Sequence, residues 1–330
     1  MIRIRTGSRL HFGLFTPHGQ GVDAAGQTSA ALPGRAFGGV GLMVDAPAVV
    51  VTARPAAQWS AEGPLAERAL AYARAVAAAL LHVDVVPQHI HVEAASPEHK
   101  GLGTGTQLGL AVARAVTVAA GLEHLSAVDL ARLAGRGARS ALGVHGFGGG
   151  GFLVEAGKQR PAEISPLVAR LVFPEAWCVV LFLPPWNTGL HGAEEQEAFK
   201  ILLQSGKLHQ QTDALCRVTL LEMLPALAEA DLPAFGAALY EFNRKAGEAF
   251  ALVQHGCYAH PAIAELVSFL RKAGVQGVGQ SSWGPAVFAL TASQEIGQEI
   301  ADRARRRFAL SPEEVIFTTA VNHGAGTEMG

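Results

Sequence analysis

The stretch "SPEHKGLGTGTQLGLAVARAV", residues 96–116, places three glycines in five positions and then runs into apolar residues at helical spacing. A strand pattern, "HIHVEA" (89–94), precedes it, and the periodicity predicts a helix over 107–120. Glycines let backbone N–H groups approach an oxyanion closely, and a helix N-terminus adds partial positive charge. Strand, glycine turn and helix in that order make an anion cradle. Gly101, Leu102, Gly103, Thr104, Gly105, Thr106 and Gln107 are its expected lining, the threonine hydroxyls acting as donors and Lys100 as a mobile cation at the lip. The turn is not a Walker A loop, because GxxxxGK[ST] is missing. A formal GxGxxG at Gly146, Gly148 and Gly151 leads into a strand instead of a helix, the wrong context for a dinucleotide.

Outward from the turn, the chain mixes helices and strands. Residues 1–12 and 47–54 ("PAVVVTAR") read as strands, and "LAERALAYARAVAAALL" (65–81) as a helix. Between the first two strands lies a glycine-rich segment, 19–41, of the length at which loops are commonly functional. Its Arg35, beside Gly38-Gly39, is placed to close over a diphosphate. Ser126 with Asp129 forms a capping box for a helix over "AVDLARLAGRGARSAL". Strands "FLVEAG" and "WCVVLFLP" follow, the second ending at Pro184-Pro185, where the lobe boundary is expected: 1–184 and 185–330. Helices then dominate 193–273, with periodic Leu220, Leu221, Leu224 and Leu227. A strand "AVFAL", a helix "QEIGQEIADRARRRF" and a strand "EEVIFTT" close the pattern.

At 330 residues two lobes are the better expectation. The formal charge of −2 gives no footprint for nucleic acid, and Arg303–Arg307 reads as a solvated helix face. No stretch reaches the roughly 18 apolar residues of a membrane span, and the N-terminus lacks a signal-peptide core, so a cytoplasmic protein is expected. Cys178, Cys216 and Cys257 are far apart, without a CxxC pair, and read as reduced fillers. His89 and His91 share a strand face but have no further ligands at metal spacing.

Pro97 with Gly101-Leu102-Gly103 resembles the second motif, P-x-x-x-G-L-G-S-S-A, of the GHMP kinases. "GVQGVGQSSWGPAVFAL" (274–290) is similar to the third motif of that superfamily, and "TGSRLHFGLF" (6–15) sits where its first belongs. The resemblance implies a two-lobed α/β (α+β) fold, with a ribosomal-S5-like N-terminal lobe and a ferredoxin-like C-terminal lobe. GHMP kinases place Ser-Ser where this chain has Thr104-Gly105, and many use an Asp base in a region that here, 139–157, holds no Asp. Those departures, with "GSRLHFGL", "GFGGGGFLVEAG", "GLHGAEEQEAF" and "GVGQSSWGP", resemble the branch of β-ribofuranosylaminobenzene 5′-phosphate synthases. The resemblance implies joining of 4-aminobenzoate, or a related 4-substituted benzoate, to phosphoribosyl pyrophosphate, with release of CO2 and pyrophosphate. It further implies Mg²⁺, a place in methanopterin-type cofactor synthesis, and a homodimer. A Mg-ATP-dependent small-molecule kinase and a non-catalytic binder of phosphate ligands remain as alternatives.

Arg9 and His11 share one face of the first strand by parity. Arg9 suits a phosphate or carboxylate, and His11 a proton shuttle or orienting donor. Gln280 and Ser281 join them as expected catalytic groups, and Ser282 as a substrate contact, on a polar turn before Trp283. Glu194 and Glu195, after His191, are candidate oxygen ligands for Mg²⁺.

Overall fold

The computed structural model describes residues 1–16, 35–160, 163–186, 192–254 and 256–330. In chain order the first lobe supplies β1 (Ile2–Phe15), β2 (Ala36–Pro55), β3 (Ser60–Glu62), α1 (Ala66–Ala79), β4 (Gln88–Ala94), α2 (Thr104–Ala119), α3 (Ala127–Leu133), α4 (Leu142–Gly149), β5 (Phe152–Lys158) and β6 (Leu167–Leu171). The second contributes β7 (Cys178–Phe182), α5 (Gly192–Ser205), α6 (Lys207–Val218), α7 (Leu224–Ala228), α8 (Leu232–Gln254), α9 (Pro261–Lys272), β8 (Val278–Gln280), β9 (Val287–Thr291), α10 (Gln294–Phe308) and β10 (Val315–Thr318). β11 (Gly326–Met329) then returns to the first sheet beside β1.

Two sheets result among the described residues. In the larger, β1 and β2 pair antiparallel from Ile2↔Ala53 to Phe15↔Gly38, with register shifts at Thr6/Ser8 and His11/Gly13. Such shifts bend a strand pair. β2 consequently serves two further neighbours, β4 along Val50–Pro55 and β5 along Ala36–Leu42. The smaller sheet runs β10-β7-β9-β8. β7 belongs to it, so the change of sheet comes before residue 178, one strand earlier than the boundary expected at 184/185. The apolar run of β7 fits either lobe equally, and its position is set by pairing that periodicity does not encode.

α2 is apolar nearly all round, and twelve of its residues, Thr104 through Val118, are buried between the larger sheet and the helices α1, α3 and α4. Phe12, Phe152, Phe173, Trp177, Phe235 and Phe288 form an aromatic core where the two sheets and α8 meet. α3 ends sooner than its composition suggests. Gly135 adopts φ +62°, its N–H reaches the Arg132 carbonyl and the Arg136 N–H reaches that of Ala131, a Schellman stop. The expected helix over 127–142 is thus two helices joined by a link carrying Arg136 and Arg139. Of the expected loop, residues 36–41 are strand β2, while 17–34 lie outside the described residues. Leu220 and Leu221 are exposed on a π-helical turn, Thr219–Met223, that shifts the helical phase between α6 and α7. Among the described residues no helix is long and apolar enough to cross a membrane.

Candidate active site

Three segments far apart in sequence are stitched into one wall. The Arg9 N–H donates to the Leu102 carbonyl (2.9 Å), the Ser282 N–H to that of His11 (2.9 Å), and the Ala286 N–H to that of Lys100 (3.2 Å). Ser281 closes the join: its hydroxyl donates to the Gly101 carbonyl at 2.7 Å and accepts the His11 N–H at 3.0 Å. A Cβ on Gly101 would lie 2.2 Å from the Ser281 carbonyl oxygen, and φ there is +81°, so glycine is required twice over. Asn243, on α8, braces the same wall. Its amide donates to the carbonyls of Phe12 (2.7 Å) and Gln280 (2.8 Å) and accepts the Gln280 N–H (3.0 Å).

Behind this wall lies a cleft of two adjoining chambers. One, of about 280 Å³, is bounded by the glycine turn, Thr104, Gly105 and the side chains of Arg9, Arg68, Arg136 and Arg139. Gly103, left-handed at φ 74°, caps α2, and Gly103 to Thr106 line the chamber. Among its described lining, four arginines face two carboxylates, Glu98 and Glu195, an excess of two positive charges. Arg68 pairs with Glu98 and Arg139 with Glu195 (2.9 Å), while the Nε and Nη1 of Arg9 are buried without a hydrogen-bond partner among the described residues. Burial lowers Arg9 to about 10, against the favourable charges of Glu155 and Glu195. An unpartnered buried guanidinium is costly, and a bound anion would relieve it.

The second chamber, of about 250 Å³, has Phe12, Leu14, Phe199, Phe250 and Trp283 among its walls. Phe199 and Phe250 meet Trp283 edge-on at centroid distances of 5.3 and 4.7 Å, and Phe250 meets Phe199 at 6.4 Å. A cavity of ~150 Å³ admits benzene, so a substituted ring fits. His11 lines this chamber, and burial, then the charge of Arg9, keeps its imidazole neutral, well below the ordinary histidine range. Arg9, Thr106, Arg136, Arg139, Glu195, Ser282 and Trp283 border both chambers.

The expected residues divide on inspection. Arg9, His11, Gly101, Leu102, Gly103, Thr104, Gly105, Thr106, Gln280 and Ser282 all line the cleft. Ser281 does not: it is fully buried and its hydroxyl is committed to the join. Gln280 reaches the cleft wall, but its side-chain oxygen accepts the Ala259 N–H and its amide donates to the Ser282 carbonyl. The side-chain hydrogen bonds of both go to the backbone of the wall and its neighbours. Gln107 is turned inward, accepting from the Thr6 hydroxyl and donating to the Gly143 carbonyl. Thr104 Oγ1 donates to the Pro97 carbonyl. Lys100 leaves the lip to donate to the Pro184 carbonyl at 3.2 Å, and Arg35 donates to the Gly157 carbonyl at 3.0 Å; neither lines the cleft. Glu194 is exposed on α5 while Glu195 faces the cleft, so the two do not converge on one ion. His191 lies outside the described residues. Among the described residues no group of three His, Cys, Asp or Glu side chains is placed to hold a metal.

Arg68, Arg136, Arg139, Phe199 and Phe250 were not predicted. The "GRGAR" run at 135–139, two arginines among glycines inside an apparent helix, was the available signal. Arg68 had none, since an arginine on an amphipathic helix looks like solvated charge. Its guanidinium lies against Gly105: a Cβ there would lie 2.4 Å from the Arg68 Nη2, so a side chain at 105 would displace that guanidinium. Where the kinase motif has its second serine, this chain has an arginine side chain from α1.

Residues 66–152 match the model of the GHMP kinase N-terminal domain, and residues 223–310 that of the GHMP kinase C-terminal domain. The fold is similar to homoserine kinase from Cytophaga hutchinsonii (TM-score 0.63, 17% identity, 99% of this chain and 97% of that one). It is likewise similar to mevalonate diphosphate decarboxylase from Staphylococcus aureus (TM-score 0.63, 16% identity, 100% and 99%). Over full length, the chain is 31% identical to the β-ribofuranosylphenol 5′-phosphate synthase of Archaeoglobus fulgidus, covering 100% of both. It is 30% identical to that of Methanothermobacter thermautotrophicus, over 98% of this chain and 97% of the relative. With the three motifs joined in one cleft and matches that span both lobes, the chain belongs to the β-ribofuranosylphenol 5′-phosphate synthase family, built on the GHMP kinase fold.

Proposed function

We propose that the protein is a synthase joining a 4-substituted benzoate to phosphoribosyl pyrophosphate through a carbon–carbon bond. The observation that carries this reading is the continuity of an arginine-rich anion chamber with an aromatic-walled one, bordered in common by Arg9, Arg139, Glu195 and Trp283. The diphosphate lies against the glycine turn and the arginines, the ring among Phe199, Phe250 and Trp283, and the anomeric carbon at the junction. Breaking of the bond from the anomeric carbon to the diphosphate oxygen leaves oxocarbenium character on the ribose, and both bonding electrons go to the departing pyrophosphate. The ring carbon bearing the carboxylate attacks that centre. Loss of CO2 returns its bonding pair to the ring and restores aromaticity. Preorganised cations aimed at the departing oxygens are the main catalytic contribution, and no protein nucleophile is needed. His11, neutral and beside Arg9, accepts a proton from the ring's 4-substituent as electrons move toward the attacking carbon, and returns it to that substituent when the pair released by CO2 flows back through the ring.

The relatives are named for a phenol product, and the family resemblance left a 4-amino or another 4-substituted benzoate open, so 4-hydroxybenzoate is the first acid to test, with 4-aminobenzoate beside it. The carboxylates at the cleft, Glu98 and Glu195, are each paired with an arginine and do not form a protein-built magnesium site. Mg²⁺, as the resemblance implies, would reach the cleft bound to the diphosphate and would offset charge on the departing oxygens. The homodimer belongs to the same proposal and is tested by light scattering. The chemistry is tested by pyrophosphate release that requires the benzoate and phosphoribosyl pyrophosphate together, with and without added Mg²⁺. Release without the benzoate would overturn it.

A further inference from the structure

Arg136 and Arg139 sit on a link with neither helix nor strand of its own, yet that link is held from one strand. Glu155, on β5, is fully buried. It accepts the Ser140 hydroxyl on Oε1 at 2.5 Å and the Ala141 N–H on Oε2 at 2.7 Å. Further along the same strand, Lys158 donates to the Ala138 carbonyl. Gly137, at φ +84°, packs so closely on Ile164 that a Cβ would lie 2.7 Å from its Cδ1. Glu155 lines neither chamber, and the chemistry above gives it no part.

We infer that Glu155 is a positioning residue: through Ser140 and Ala141 it sets the link so that Arg136 and Arg139 meet a bound diphosphate in the correct geometry. The inference rests on reading the cleft as a diphosphate site. Burial raises the Glu155 carboxyl to about 7, against the hydrogen bonds of Ser140 and Ala141 and the charge of Arg9. The charged groups facing it are Arg9 on β1 and Lys158 on its own strand, the latter also facing Glu163; Ser140 and Ser165 face it as neutral hydroxyls. A bare negative charge behind Arg9 competes with an incoming anion, so removing it would tighten binding. Removing a positioning group weakens binding instead. The two roles predict opposite signs.

The test is calorimetric titration of inorganic pyrophosphate into wild type, Glu155→Gln and Ser140→Ala, with the folded fraction of each measured by thermal melting. Glu155→Gln keeps one acceptor and replaces the other with a donor. It should bind about tenfold more weakly, as expected for small misplacement of binding groups. Ser140 borders the aromatic chamber and not the anion one, so Ser140→Ala, which leaves β5 untouched, should weaken pyrophosphate binding in the same direction by severalfold and decides the matter should Glu155→Gln fail to fold. Sulfate, whose charge is constant in this range, should bind wild type more weakly at about pH 6 than at about pH 8, and Glu155→Gln should lose that dependence. Unchanged or tighter pyrophosphate binding in the folded variants would overturn the inference while leaving the diphosphate reading intact. Failure of wild type itself to bind pyrophosphate would overturn both.

Discussion

Arg9 is the residue on which stability and function pull apart. Its Nε and Nη1 are buried without partners among the described residues, and burial already lowers it to about 10. Arg9→Met should therefore raise the free energy of unfolding, by about 1 kcal/mol, while abolishing turnover. Urea melts and the product assay read the two effects separately; a large loss of stability would mean that the guanidinium is satisfied in the free protein. His11 carries a pH signature. Its folded pKa lies well below the ordinary value of about 6.5, so the unfolded chain takes the proton first. The stability tied to its neutral form is complete above about pH 6.5 and is lost as pH falls below it. His11→Gln should flatten that acid-side slope, seen in urea midpoints at about pH 5 and about pH 7.

At the scale of elements, the glycine turn was legible because its spacing, its strand and its helix agreed with one another. What escaped was which side chains the turn would face. Thr104, Gln107, Gln280 and Ser281 are polar and stand in the motifs, yet their hydrogen bonds go to Pro97, Thr6, Gly143, Ala259 and Gly101 to hold the motifs together. A polar residue at a motif looks the same in sequence whether it faces a ligand or braces the wall. Besides Arg9 on β1, the arginines that face the cleft come from α1 and from a link hidden inside an apparent helix. Gly105→Ser, restoring the kinase residue, would press against Arg68 and should weaken pyrophosphate binding at least tenfold by the same calorimetry. Asn243→Ala removes three buried hydrogen bonds between α8, β1 and β8 and should cost about 3 kcal/mol, measured by urea denaturation.

Across the whole molecule, the two-lobed architecture followed from motif order, while the exchange of strands between lobes did not. β7 joins the second sheet and β11 returns to the first, and both depend on long-range pairing. That return ties the chain's last strand to β1, the strand that also carries Arg9 and His11. The cleft lies where the lobes meet: the first lobe supplies the anion turn, the arginines and, from β1, Phe12 and Leu14, and the second the aromatic wall of α5, α8 and Trp283. A chain that only gripped phosphate would not need that wall. The most direct test is release of labelled CO2 from carboxyl-labelled 4-hydroxybenzoate, and in parallel from 4-aminobenzoate, by purified protein given phosphoribosyl pyrophosphate and Mg²⁺. One CO2 released per pyrophosphate, and none without phosphoribosyl pyrophosphate, is the predicted result. Absence of CO2 from either acid, with ATP consumed instead in the presence of a small alcohol, would contradict it and return the glycine turn to a kinase.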